Sequence, residues 1–158
     1  WIGLALVGYA VWLLAFDLAR RTASRPGLPG FVGKVLLVGY AWLLVSGVVL
    51  AAGPAWRSGG FQYDAVLHAF FLGFVFSMIF AHAPLVFPSV LGVRFVFHPG
   101  LYVPPLLLWG SLLPRLAGDL LGSPALRGLG GAGNALAILS LFAAMAVGVA
   151  RASQSGRT

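Results

Sequence analysis

The 158-residue sequence contains no cysteine. That excludes disulfides, thiolate metal sites, iron–sulfur clusters and c-type haem attached through cysteine. Any metal or haem iron would have to be held by histidine, methionine or oxygen ligands. Glutamate is absent too, so the acidic residues are Asp17, Asp64 and Asp119 alone. Paired glutamates are therefore excluded, and the sequence carries neither a phosphate-binding glycine loop nor a nucleophile–base constellation. Charge of either sign is scarce: 8% of residues, against roughly 25% in a soluble domain.

What is present is apolar. Hydrophobic residues make up 60% of the chain, more than a soluble protein of this size can hide behind a polar exterior. A bilayer removes that constraint, provided every backbone polar group is satisfied within helices or a closed barrel. A spanning helix needs about 20 mostly apolar residues. Five stretches approach that length, roughly 1–19, 31–53, 62–87, 100–121 and 128–150. The expected fold is therefore all-α, a polytopic transmembrane bundle of about five helices over 1–152, with a polar tail over 153–158. Proline and glycine mark the connections, at Arg20–Gly27, Pro54–Gly60, Pro88–Pro99 and Gly122–Pro124. The chain opens at Trp1 inside an apolar run, without methionine or a basic leader, so sequence is expected to precede it and the first helix to be incomplete.

A formal charge of +7 would suggest nucleic acid on a soluble protein. Here the basic residues gather in short loops, where they report topology instead. The bilayer is the expected partner and nucleic acid is not. Arg20, Arg21, Arg25, Lys34, Arg94, Arg151 and Arg157 fall on one side, and Arg57, Arg115 and Arg127 on the other. The richer side is expected to be cytoplasmic, with the C-terminus on it. The third helix then runs inward and the fourth outward.

The third helix carries the informative residues, because an ionisable group within a membrane is costly. Asp64 and His68 lie one turn apart, so the carboxylate can accept the imidazole N–H and fix its tautomer. His82 returns to within about 40° of the same face but about 21 Å further along, too far to share a metal ion with His68. The two could instead mark opposite ends of one polar pathway. On another face Ala65, Ala69, Gly73, Ser77 and Ala81 repeat every four residues, a small-residue seam suited to a partner helix and to homo- or hetero-oligomers. His98, before Pro99, reads as structural. The run Gly128–Gly133 reads as close helix packing. Arg115 and Asp119 form a second pair one turn apart, beside Pro114. With Asn134 they fall at the same outer level as Asp64 and His68, so these five polar groups on three helices are expected to form one site. There Arg115 could meet a carboxylate-bearing ligand.

The segment Leu67–Phe80, continuing to Pro84, Pro88 and Gly92, resembles a stretch of the NnrS-type membrane proteins, which are haem- and copper-associated and linked to nitric-oxide metabolism. More distantly it is similar to the helix of the haem–copper oxidase catalytic subunit that bears a low-spin haem ligand. Leu112–Asp119 resembles the arginine-containing helix that follows in NnrS-type proteins. The likeness is specific only over about 64–92, and those families span the bilayer about twelve times. It implies a prokaryotic inner membrane, a haem with His68 as axial ligand, and Arg115 beside a propionate. The paired histidines that hold copper are absent, and a second axial ligand would have to come from elsewhere. Three readings follow: a haem-associated protein of respiratory or nitric-oxide metabolism, a cofactor-free scaffold or assembly subunit, and a small transporter or proton-conducting subunit using Asp64, His68 and His82.

Overall fold

The computed structural model describes residues 1–52 and 60–155. Arg57, Arg157 and most of the Pro54–Gly60 connection lie outside them. Among the described residues there is no strand. Helix α1 (Ile2–Phe16) ends at Asp17, whose carboxylate accepts the Ala19 N–H at 2.7 Å and opens the short α2 (Ala19–Thr22). Helix α3 (Gly27–Ala52) follows. Helix α4 (Phe61–His68) passes through a π-helical segment (Ala69–Val75) into α5 (Phe76–Leu91). A 3-10 turn (Pro99–Tyr102) leads to α6 (Val103–Leu121), and α7 (Pro124–Ser155) completes the bundle.

Three of these rods are long and apolar enough to cross a membrane: Gly27–Ala52, Tyr63–Leu91 and Pro124–Gln154. Helix α1 is apolar but has 15 residues, and the 19-residue α6 carries Arg115 and Asp119. The distribution of side chains is that of a membrane protein. Trp12, Phe16, Leu113, Leu129 and Phe142 lie exposed on the outside, while Ser46, Ser77, His98, Asp119 and Asn134 are buried. In water the exposed apolar surface would be unfavourable. In lipid the exposed apolar surface costs nothing and the polar groups find partners inside.

The ends of several helices differ from the sequence windows for local reasons. Pro29 fits the first turn of α3, and Pro124 opens α7, because an N-terminal turn has no use for the missing N–H. Helix α5 continues through Pro84 and Pro88 and stops at Gly92, whose left-handed conformation (φ 65°) lets the Val93 N–H reach the Pro88 carbonyl at 3.0 Å. Residues 153–155, expected in the tail, belong to α7.

The five-residue seam is a correction to the expected oligomer contact. Ala65, Ala69, Gly73, Ser77 and Ala81 are all buried, and they pack within the chain. A side chain at Gly73 would strike Trp42 of α3. Ala69 packs with Leu112 and Leu116 of α6, and the Ser77 hydroxyl accepts the Trp109 Nε1–H at 3.0 Å. The seam therefore joins α3 and α6 around the middle of the bundle and is not open to a partner. Each i,i+4 step on an α-helix drifts by about 40°, so five such positions would fan over about 160°. The π turns wind less per residue and cancel part of that drift, which keeps the row straight.

Candidate functional site

The hairpin of α6 and α7 brings the outer charges together. It turns at Gly122 (φ 66°), Ser123 and Pro124, with the Ser123 N–H bonded to the Gly118 carbonyl at 2.9 Å. Gly118 lets the backbone at Arg127 approach, Gly130 does the same for Arg115, and Gly133 makes room for the Ser111 side chain. The glycine-rich run thus serves close packing, as its composition suggested. Asp119 and Arg127 consequently flank the turn, and Arg127 Nε lies 2.8 Å from Asp119 Oδ1.

Helix α4 delivers His68 to the same place. His68 Nδ1 lies 2.8 Å from Asp119 Oδ2, and His68 Nε2 lies 3.0 Å from a terminal nitrogen (Nη2) of Arg115. A guanidinium has protons to donate and no lone pair to accept with. Nε2 must therefore be the acceptor, and the ring proton sits on Nδ1 and points at Asp119. These partners assign a neutral imidazole in the Nδ1–H tautomer. Arg115 also donates to the Arg127 carbonyl at 3.0 Å, and its Nε lies 3.8 Å from Asp119 Oδ2.

Asp64 does not hold His68, contrary to the expectation from their spacing. Its Oδ2 accepts from Arg127 Nη2 at 2.7 Å. The reason is burial. The Asp119 side chain is fully buried and that of Asp64 is 37% exposed, so Asp119 gains more from every donor nearby. The imidazole turns towards α6, and Asp64 takes the guanidinium at the start of α7. Arg127 also lies over the Phe61 ring, 4.4 Å from its centroid.

Asn134 is buried about two turns beyond Arg127 along α7 and belongs to a separate pair. Its Oδ1 accepts the Ser111 hydroxyl at 2.6 Å, and its Nδ2 has no partner among the described residues. None of its bonds reaches His68 or Asp119. The other histidines are elsewhere. His82 is exposed, with Nδ1 donating to the Met78 carbonyl at 2.7 Å. It shares its exposed face with Phe71 and Ile79, so the expected polar pathway along this helix runs over apolar side chains on the bundle's exterior. Buried His98 donates from Nε2 to the Ala144 carbonyl at 2.9 Å and pins the preceding loop to α7.

The site is thus a network of His68, Asp119, Arg115, Arg127 and Asp64, two guanidinium groups against two carboxylates, in which Asp119 Oδ1 and Arg115 Nε have ion-pair contacts but no aligned hydrogen bond among the described residues. Sequence reasoning missed Arg127 as a member and counted it only as a loop charge. Its position eight residues after Asp119, across a Gly-Ser-Pro turn, was the available signal.

A domain of unknown function, DUF8744, matches residues 1–151. The chain belongs to that family. No curated protein and no solved structure matches it. What a DUF8744 member can hold must be judged from its own residues. A carboxylate behind a histidine Nδ1–H is the support that metal-bound imidazoles have, and Asp119 supplies it. Iron, however, would need Nε2, which faces Arg115. Among the described residues of this DUF8744 chain no group of three or more His, Asp or Glu converges on a metal position. As arranged, His68 Nε2 is taken by the Arg115 guanidinium, which a metal at that nitrogen would first have to displace.

Proposed function

We propose that the chain is a multi-pass integral membrane subunit with a scaffold or assembly role, its outer ends locked by the His68–Asp119–Arg115–Arg127–Asp64 network. The supporting observation is convergence: both ring nitrogens of His68 are hydrogen-bonded, each carboxylate lies within ion-pair distance of a guanidinium, and the positive and negative charges match in number, while Asp119 Oδ1 and Arg115 Nε make no aligned hydrogen bond among the described residues. Paired charges of this kind let α4, α6 and α7 stay together at the membrane surface without a free ion in the apolar region. On this reading the C-terminus is cytoplasmic. Arg20, Arg21, Arg25, Lys34, Arg94 and Arg151 gather on that side, whereas Arg115 and Arg127 on the other are neutralised by carboxylates.

A haem-associated reading stands second, favoured by one observation, the buried Asp119 carboxylate behind His68 Nδ1. It requires Arg115 to withdraw from Nε2 and a second ligand from outside the described residues. One experiment separates the two. Wild-type protein and His68→Gln are expressed with ample haem precursor, purified, and compared by visible absorption and thermal unfolding. The scaffold reading expects no Soret band in either and a lower midpoint in the variant. A Soret band in the wild type that disappears in His68→Gln rejects it in favour of haem.

A further inference from the structure

The other end of the bundle holds a groove that the outer network does not touch. It lies between the C-terminal end of α5 and the C-terminal half of α7, and encloses about 510 Å³. Phe87, Leu91, Phe142, Met145 and Ala146 line it, over a floor that includes Leu141. No ionisable side chain faces into this stretch. From Leu141 to Ala150 it runs along α7 for about 14 Å, close to the depth of one leaflet of a hydrocarbon core about 30 Å thick.

At its cytoplasmic end the groove continues past Val93 and Val149, which line both parts, to Arg94. Arg94 is held there by the loop's own packing. The Val96 N–H donates to the Gly148 carbonyl at 3.1 Å, and the Phe95 ring occupies the space that a side chain at Gly148 would need. The loop is thereby fixed across α7 with the exposed Arg94 beside it. An apolar channel one leaflet long, ending in a guanidinium at headgroup level, matches a molecule with a hydrocarbon tail and a negative head.

We infer that this groove is a binding site for an anionic phospholipid of the cytoplasmic leaflet, with one acyl chain along α7 and the phosphate at Arg94. Charge decides the class. A second copy of the chain or a neutral lipid would fill the apolar part but has no use for the arginine at its end. Basic positions beside helix crevices on the cytoplasmic side are where anionic headgroups bind. The inference rests on the membrane-spanning orientation proposed above.

The test begins with a carbonate wash of membranes carrying the protein. Release into the supernatant would overturn the membrane reading itself, and the lipid site with it. Retained protein is then solubilised and incubated with equal amounts of phosphatidylglycerol and phosphatidylcholine, and bound lipid is counted by native mass spectrometry. The expected result is about fivefold more phosphatidylglycerol, the ratio that one arginine at an anionic surface corresponds to. Arg94→Gln should abolish that preference. Ala146→Trp, which fills the groove, should remove the lipid adduct altogether, with both variants unfolding at the wild-type temperature. Equal retention of the two lipids, or a preference that survives Arg94→Gln, overturns the site. So does a wild-type dimer that Ala146→Trp converts to monomer, because the occupant would then be a second copy.

Discussion

His68 Nδ1 on α4 and Asp119 Oδ2 on α6 lie 2.8 Å apart, although 51 residues separate them in the chain. This contact ties the outer end of α4 to the hairpin of α6 and α7. Its carboxylate is also the point on which Arg115 and Arg127 converge.

Asp119→Asn is the substitution expected to cost most. It keeps the volume but leaves two guanidinium groups without their shared counter-charge, and removing one member of a buried pair costs about 3–5 kcal/mol. Thermal unfolding in mild detergent should show a large fall in midpoint. An unchanged midpoint would mean that the network carries no stability.

Asp64→Asn should be much milder. Its carboxylate is 37% exposed, and ion pairs open to solvent contribute about 0–1 kcal/mol. The same unfolding assay should rank it well above Asp119→Asn. A reversed order would show that the wrong carboxylate has been placed at the centre.

Arg127→Lys should fail to restore what Arg127→Gln loses. One guanidinium reaches Asp64 and Asp119 through different nitrogens and lies over Phe61. A lysine offers a single ammonium and cannot bridge in that fork. Equal midpoints for the wild type and the lysine variant would count against the bridging geometry.

Gly73→Leu should destabilise the monomer without changing its association. The new side chain would meet Trp42 within the same chain, and overpacking of this kind costs about 1–3 kcal/mol. Size-exclusion chromatography with light scattering, beside the unfolding assay, checks both halves. A change in oligomeric state would mean that the seam also serves a partner.

Asn134→Leu should be nearly silent, within about 1 kcal/mol. The Asn134 Nδ2 has no partner, and the Ser111 hydroxyl keeps the Leu107 carbonyl 2.7 Å away as an alternative acceptor. Replacing a poorly satisfied polar group by an apolar one of similar shape costs little. A large loss would point to a partner of Asn134 that these contacts do not include.

Much of the fold was legible because long apolar runs and Pro/Gly breaks dictate helices locally. Helix windows over 31–53, 62–87, 100–121 and 128–150 each overlie an observed helix. The alternation of helix direction also put Asp64, His68, Arg115 and Asp119 at one level. What spacing could not tell was partnership. Asp64 and His68 are near on one helix, yet the pairing follows burial, and burial depends on how α6 packs. The π segment was equally hidden, since residues 69–75 read as ordinary apolar helix. The seam looked like an external contact because sequence shows which residues are small and not which neighbour arrives.

The tight turn at Gly122–Pro124 carries a consequence for how the chain enters its membrane. Because Asp119 and Arg127 face each other across that turn, the central ion pair closes within a single helical hairpin, before distant elements arrive. Helix α6 on its own would bring Arg115 and Asp119 to the lipid edge with only their loose 3.8 Å contact. Emerging together with the first turns of α7, it arrives with its aspartate also held at 2.8 Å by Arg127. Biogenesis would then proceed by hairpins rather than by single helices, with His68 on α4 receiving a finished acceptor.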